Sequence, residues 1–364
     1  MRKLSKVLVT GGAGFIGTNF IRNILSKESG FSGRIINLDK LTYAGNADNL
    51  IDISNKFQGT RYFFEHEDIC NKKKVSSIFE KYQIDTVVHF AAESHVDRSI
   101  LGPDEFINTN IIGTHTLLDA AHKFWQTGNS VFQNGVLFYH VSTDEVYGSL
   151  DETGYFSEVT PYDPRSPYSA SKAASDHLVM SYYHTYGLPA IISNCSNNYG
   201  PYQFPEKFIP LMILNIIESK PLPVYGDGRN IRDWLYVDDH INAIWTILKK
   251  GMTGEKYNIG GDNEWRNIDL LYRLIDIVCE KSGLKKEEVL STITHIKDRP
   301  GHDRRYAIDC SKLKTELDWK QQNNFENGLK KTVEWYFNNL EWIKNIINGK
   351  YKEWISDNYS SREQ

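Results

Sequence analysis

Cysteine is scarce in this chain of 364 residues. There are four, Cys70, Cys195, Cys279 and Cys310, and no two are spaced as a CxxC pair. That argues against a disulfide framework and a cysteine zinc module, and leaves reduced thiols as the expectation. No run of one charge sign exceeds Lys72-Lys73-Lys74, and the net charge is -4. Broad nucleic-acid binding therefore has no electrostatic footing, although local basic pockets stay open. No apolar run approaches the ~20 residues of a membrane-spanning helix. Met1-Arg2-Lys3-Leu4-Ser5-Lys6 passes straight into a β-rich run with no signal-type apolar stretch. The expectation is a cytoplasmic chain that binds neither membrane nor nucleic acid and carries no metal. Repeats and low-complexity tracts are missing too. What remains is an ordinary globular composition, 40% apolar, long enough for two domains.

The first informative stretch is Val7-Leu8-Val9-Thr10, a short strand. Gly11-Gly12-Ala13-Gly14-Phe15-Ile16-Gly17 follows at once, then a helical stretch to about Lys27 and a second strand from Arg34 to Asp39. Gly12, Gly14 and Gly17 satisfy GxGxxG, and Asp39 lies 22 residues beyond Gly17. In that strand–turn–helix–strand context the pattern is a dinucleotide fingerprint. Glycines let a pyrophosphate rest on N–H groups at a helix N-terminus, where the dipole favours an anion. A tight turn with no ligand is the alternative. Asp39 would accept bonds from an adenosine ribose and repel a 2′-phosphate, which selects NAD over NADP. Lys40 beside it weakens that repulsion. Leu41 to Asn46 reads as a loop over the adenosine.

Strands at 62–66, 86–90, 136–141 and 190–193 alternate with helices at 72–82, 107–125 and 168–186. This alternation predicts an α/β fold with a doubly wound parallel (Rossmann) sheet over residues 1–200. After Tyr199-Gly200-Pro201, the prolines at 201, 205, 210, 221 and 223 break the rhythm. A helix at 207–219 and short strands around Val224 and Tyr257-Asn258-Ile259 suggest a smaller mixed α/β substrate-binding lobe over 201–355. A helix at 238–250 is expected to return to the main sheet, with return elements near 238–260. The polar end, 356–364, is expected to fray.

The strand at 136–141 runs into Ser142-Thr143-Asp144-Glu145-Val146-Tyr147-Gly148. Ligands of open α/β sheets bind beyond the carboxyl ends of the strands. Two adjacent carboxyls in unlike surroundings can divide into one acid and one base. A helix N-cap pair is the plainer alternative. Tyr168 and Lys172 are four apart and share a helix face. An ammonium there would lower the phenol's pKa and make Tyr168 a base toward an alcohol whose hydride goes to NAD. Alone, Tyr-x-x-x-Lys is as well explained by a solvated face. Ala91-Ala92-Glu93-Ser94-His95 leaves a third strand end. Its small residues allow close approach of a cofactor, and His95 is a substrate contact or an ordinary loop histidine.

Taken together, these stretches resemble the extended short-chain dehydrogenase/reductase family over nearly the whole chain. So do Ala91 to Ser99, Asn194 to Pro201 and Arg299 to Tyr306. The Asp144-Glu145 pair resembles the branch that removes water from nucleotide-sugars. The resemblance implies one retained NAD. It places cofactor contacts at Gly11, Gly14, Phe15, Ile16 and Gly17, then at Asp39, Lys40, Leu41 and Thr42. Further contacts fall at Asp68, Ile69, Ala91, Ala92, Ser94, Thr109 and Asn198, together with Tyr168 and Lys172. Substrate contacts are implied at His95, Thr143, Asn197, Lys207, Phe208 and Pro223. Tyr225, Arg232, Asn267, Asp298 and His302 complete them. The implied chemistry is oxidation at C4 with Tyr168 as base and loss of water across C5–C6. Glu145 is then the base and Asp144 the acid, and a hydride returns to C6. The implied substrate is dTDP-glucose. UDP-glucose and 4-epimerisation are the rivals, and an epimerase has no use for the carboxyl pair. A non-catalytic NAD-binding protein is the rival from outside enzymes. A homodimer through helices 108–126 and 168–186 is also implied.

Overall fold

The computed structural model describes residues 1–128 and 131–347. The expected frayed end, 356–364, lies outside the described residues. Seven strands form the main sheet: β1 Lys6–Thr10, β2 Arg34–Asp39, β3 Tyr62–His66, β4 Thr86–His89, β5 Leu137–Thr143, β6 Ala190–Cys195 and β7 Lys256–Ile259. Their order is β7-β6-β5-β4-β1-β2-β3, and every pairing is parallel. Helices cover both faces, so the inner strands are mainly apolar and not alternating, as in Val7-Leu8-Val9, Val87-Val88 and Ala190-Ile191-Ile192. Val9, Ile35, Val88 and Tyr139 enter one core layer, and Leu8, Ile36, Val87 and Phe138 enter the other. Each such aliphatic side chain contributes about 1.5–3 kcal/mol when buried.

The chain reverses its direction of winding between β1 and β4, so a crevice opens beyond their carboxyl ends. All the candidate chemistry lies along that edge. β5 extends two residues further than the apolar run and carries Ser142 and Thr143 within the ladder, paired with Asn194 and Cys195. A 3₁₀ turn, Asp144–Tyr147, follows immediately, with Thr143 as its cap.

The second lobe has two small sheets. Asn197–Tyr199, Ile231–Tyr236 and Glu264–Arg266 form one, and Leu222–Tyr225 pairs with Ile293–Ile296 in the other. Helices Phe208–Ile217, Asn267–Ser282 and Phe325–Asn338 share its core. The helix Val237–Lys250 returns to the first core, where Ile241, Ile244 and Ile247 meet Val7 and Val9. The run at 257–259, grouped by texture with the second lobe, is the edge strand β7 of the main sheet. All four cysteines are free, and among the described residues no helix is long and apolar enough to cross a membrane.

Helix Pro167–Tyr186 starts where its sequence says it should. Ser166 and Ser169 form a reciprocal capping box, Pro167 occupies the first turn, and Gly187 closes the end at φ 77. The neighbouring long helix departs from expectation. Periodicity predicts one α-helix over 107–125, but Ile107–Gly113 is a π segment and only Thr114–Trp125 is regular α-helix. Asn110 explains the widened turn. Its side chain accepts the Glu93 N–H at 2.9 Å and donates to the Glu93 carbonyl at 3.0 Å and to Ser171 Oγ at 2.8 Å. That tether pulls the helix onto the sheet edge, and such insertions cluster at functional sites.

Candidate active site

The crevice holds a cavity of about 370 Å³. One end of it is the glycine turn. Gly11 sits at φ +71, and a Cβ there would lie 2.6 Å from the Ala91 N atom. A Cβ on Gly17 would lie 2.3 Å from the Gly11 carbonyl oxygen. No other residue fits either position without moving the backbone. Helix Phe15–Leu25 begins at Gly14, which offers no side-chain cap. The first-turn N–H groups of Phe15, Ile16 and Gly17 have no intrahelical acceptors, and all three residues line the cavity. Asp39 accepts the Ala13 N–H at 2.9 Å and the Leu41 N–H at 2.8 Å. It thereby ties the turn to the loop that follows β2. An uncapped helix start, a steric cradle and a carboxylate at the second strand's end suit a dinucleotide.

Of the residues assigned to a cofactor, all but one line this cavity: Gly11 to Gly17 as named above, Asp39, Lys40, Thr42, Asp68, Ile69, Ala91, Ala92, Ser94, Thr109, Tyr168, Lys172 and Asn198. Leu41 does not. It adopts a left-handed backbone, φ 54, and lines an adjoining cavity instead. Of the residues assigned to substrate, Thr143, Asn197, Lys207 and Phe208 line the same cavity. The others do not line it, and all of them but His95 belong to the second lobe. Tyr225 Oη donates to Asp97 Oδ2 at 3.0 Å, His302 Nδ1 lies 2.5 Å from Asp298 Oδ1, and the two rings are 6.1 Å apart. Arg232 donates to the Asp303 carbonyl at 2.9 Å and lies 4.2 Å over the Tyr306 ring. Pro223 lies in the short strand before Tyr225, and Asn267 opens the helix 267–282. Neither reaches the cavity wall. His95 is buried and caps helix Val96–Leu101 through Nδ1. Burial, with Lys207, Arg98 and Arg299 nearby, holds it neutral.

The two carboxyls of the pair stand in unlike surroundings. Asp144 is buried, and burial, the Glu145 charge and Asp233 raise it well above the usual carboxylate range. Its Oδ1 accepts from Thr143 Oγ1 at 3.3 Å, and its Oδ2 has no hydrogen-bond partner among the described residues. One end of the carboxyl thus has no partner among the described residues. Burial raises Glu145 as well, but Arg299, Lys207 and Arg232 pull it back toward ionisation.

Tyr168 and Lys172 are both buried. Lys172 Nζ donates to the Val141 carbonyl at 2.8 Å and lies 3.5 Å from His140 Nε2. Burial, then the charge of Glu145, raises Tyr168 well above an ordinary phenol, and a bond from Thr143 pulls the other way. Burial brings the Lys172 ammonium down to about 8, against an opposing pull from Asp176. Asp176 is a buried hub. It accepts from Ser142 Oγ at 2.8 Å, Tyr162 Oη at 2.8 Å and Asn194 Nδ2 at 3.2 Å, and lies 3.2 Å from His140.

These charges set a pH profile. Glu145 must be ionised to act as base, and its pKa is raised, so activity is expected to fall on acidification at a pH above the ordinary glutamate value. Lys172 must be charged, and its pKa is lowered, so activity is expected to fall again as pH rises through about 8. A pH–rate profile of kcat tests both limbs. An alkaline limb that is missing up to the ordinary lysine range would contradict the role given to Lys172.

The cavity also contains groups that the sequence reading passed over. Cys195, Glu93, Glu206 and Trp234 line it. Arg299 had a signal, since it opens the Arg299–Tyr306 stretch. Asp176 had one too, because it lies one helical turn beyond Lys172.

The family profile described as "GDP-mannose 4,6 dehydratase" matches residues 8–332. The dTDP-glucose 4,6-dehydratase of Salmonella typhimurium is 52% identical over 370 aligned residues, covering 98% of this chain and 100% of the relative. The crystal structure of the dTDP-glucose 4,6-dehydratase of Streptomyces venezuelae, with NAD bound, superposes with a TM-score of 0.83 at 44% identity, over 92% of this chain and 98% of that one. The enzyme of the same name from Bacillus anthracis, in complex with NAD, gives 0.81 at 44% identity, over 94% and 99%. With the glycine cradle, the carboxyl pair and the Tyr–Lys helix on one sheet edge, the chain belongs to the dTDP-glucose 4,6-dehydratase group of the extended short-chain dehydrogenase/reductase family.

Proposed function

We infer that this chain converts dTDP-glucose to dTDP-4-keto-6-deoxyglucose and water, through the residues assigned below. The observation that carries the assignment is the pair at the end of β5. Asp144, raised well above the usual carboxylate range, stands beside a Glu145 that three cations draw toward ionisation. NAD, when bound along the glycine turn, supplies the hydride acceptor for C4 and the hydride donor for C6. Tyr168 Oη takes the 4-hydroxyl proton, and Thr143 Oγ1 holds that hydroxyl. The 4-keto group acidifies C5–H. Glu145 removes this proton, the C6–O bond breaks, and Asp144 Oδ2 protonates the departing oxygen to give water. Glu145 then returns its proton to C5 as C6 is reduced. The cycle leaves a proton gained at Tyr168 and one lost at Asp144. Thr143, bonded to Asp144 at 3.3 Å and facing Tyr168, is the route that balances them.

Residues 1–200 serve NAD in this reading, and the lobe from 201 onward serves the nucleotide-sugar, with Arg232, Asn267 and His302 on its diphosphate and base. Thymine differs from uracil by one methyl, worth only about 1–3 kcal/mol in a pocket, so UDP-glucose is the substrate to test second. An epimerase would return the hydride to C4 and leave Asp144 and Glu145 idle. The deciding experiment incubates the purified protein with dTDP-glucose and no added cofactor, followed by mass spectrometry. Loss of one water without accumulation of NADH is expected. An unchanged mass would overturn the assignment and direct attention to UDP-glucose and to dTDP-galactose, which has the substrate's mass.

We propose a cytoplasmic homodimer. Helix Pro167–Tyr186 and the helix ending at Trp125 lie side by side, and Ile107, Ile112 and Tyr186 are exposed there by 47%, 44% and 41%. Burying such apolar surface would favour pairing of two copies. A monomeric mass by light scattering at assay concentration would sink the dimer.

A further inference from the structure

The loop after β2 separates two cavities. Lys40 faces the cofactor cavity, and Thr42, Ala44 and Gly45 line both cavities. Leu41, Tyr43, Asn46 and Asn49 face a second cavity of about 560 Å³, whose far wall includes Arg98, Tyr202 and Trp342. The loop is therefore a thin partition at the end of the cavity where Asp39 stands, and it is held shut from the far side.

Two side-chain bonds from outside the dinucleotide unit hold it. Tyr43 Oη donates to Glu206 Oε1 at 3.0 Å. The Glu206 side chain is 2% exposed and also accepts from Arg98 Nε at 3.3 Å, while the Arg98 guanidinium covers the Tyr43 ring at 3.9 Å. Further along, Trp342 Nε1 donates to Asn49 Oδ1 at 2.6 Å. Asn49 passes the connection on, because its Nδ2 donates to the Ala13 carbonyl at 3.1 Å. That carbonyl also accepts the Asn46 N–H at 3.0 Å. Ala13 is in the glycine turn itself. A tryptophan near the C-terminal end of the described chain is thus two hydrogen bonds from the pyrophosphate cradle.

We propose that Tyr43 and Trp342 are positioning residues that retain NAD, clasping the loop over its adenosine end from the second lobe. This rests on the reading that NAD binds along the glycine turn. The reaction makes such a device necessary. A hydride removed from C4 must be given back at C6 of the same sugar. Reduced cofactor that escaped in between would strand a keto-sugar and leave the protein unable to finish. Tyr43 and Asn49 lie in the partition, whereas Glu206 and Trp342 lie in or beside the second lobe, so the clasp closes only when the two lobes are docked. Glu206 precedes Lys207, a wall residue of the substrate end, so one contact runs from cofactor loop to substrate side.

The test uses the full chain with Tyr43→Phe, Trp342→Phe and the double variant, each loaded with NAD and freed of excess. Both substitutions keep an aromatic ring and remove one donor. Retained NAD is measured against time after dilution. Trp335→Phe, in the same aromatic cluster as Trp342 with ring centroids 4.9 Å apart, is the control for general loosening. Release about tenfold faster is expected for each single variant, equivalent to about 1.4 kcal/mol, and faster still for the double. Turnover without added cofactor should decline, and added NAD should restore it. Release within twofold of the parent in both single variants would overturn the proposal, as would equal acceleration in Trp335→Phe. A parent protein that neither carries nor takes up NAD would overturn the underlying site reading, and the clasp with it.

Discussion

Glu145→Gln is expected to stop the reaction after its first hydride transfer. Bound NADH should rise on adding dTDP-glucose and stay, seen as the near-ultraviolet absorbance of reduced nicotinamide, while no water is lost. The amide cannot take the C5 proton, and a positioned base is worth about 10²–10⁴-fold in rate. The oxidation should survive for a physical reason. After burial, the Glu145 charge is the largest influence that raises the Tyr168 phenol. Replacing it with a neutral amide brings that phenol down, so the base for C4 becomes easier to form. Rapid-mixing absorbance combined with mass spectrometry separates the two half-reactions. Normal turnover by this variant would show that another group takes the C5 proton.

Tyr168→Phe should block the earlier step. No NADH should appear at any time, and kcat should fall by about 10²–10⁴-fold. Folding should be little disturbed, because the ring's contact with Phe106, 6.3 Å between centroids, is kept. The buried hydroxyl that is lost contributes about 1 kcal/mol. The contrast is the informative result: two variants, both inactive overall, of which only one accumulates reduced cofactor. Accumulation of NADH by Tyr168→Phe would move the C4 base elsewhere, with Lys172 the next group to test.

The sequence made the scaffold plain because parallel strands buried on both faces are unbroken apolar runs. β1, β4 and β6 carry such runs in Val7-Leu8-Val9, Val87-Val88 and Ala190-Ile191-Ile192. The glycine turn was legible for a similar reason, since a cradle that excludes every Cβ must be written in glycine. What escaped depends on contacts across the chain. The π segment at 107–113 arises from Asn110 grasping Glu93 and Ser171, and no local periodicity records a tether to a different strand end. The placement of the Lys172 ammonium has the same origin. Helix spacing puts Lys172 on the phenol's face, but the carbonyl of Val141 captures its ammonium. The left-handed backbone of Leu41, which sets it on the adjoining cavity, leaves no mark in the sequence pattern either. Asp176 could have been found from its spacing; Glu206, which meets Tyr43 from 163 residues away, could not.

Thr143, Asp144 and Glu145 are consecutive, at the seam where β5 passes into a 3₁₀ turn. Consecutive Cα atoms are about 3.8 Å apart whatever the rest of the molecule does. The hydroxyl, the acid and the base are therefore spaced by covalent bonds, not by the accuracy of tertiary packing. A distortion of the sheet can displace the three as a group but hardly against one another. The tolerance that folding must meet falls on a single alignment, the end of β5 against helix Pro167–Tyr186. Asp176 on that helix grips Ser142 of that strand at 2.8 Å, one residue before the three begin.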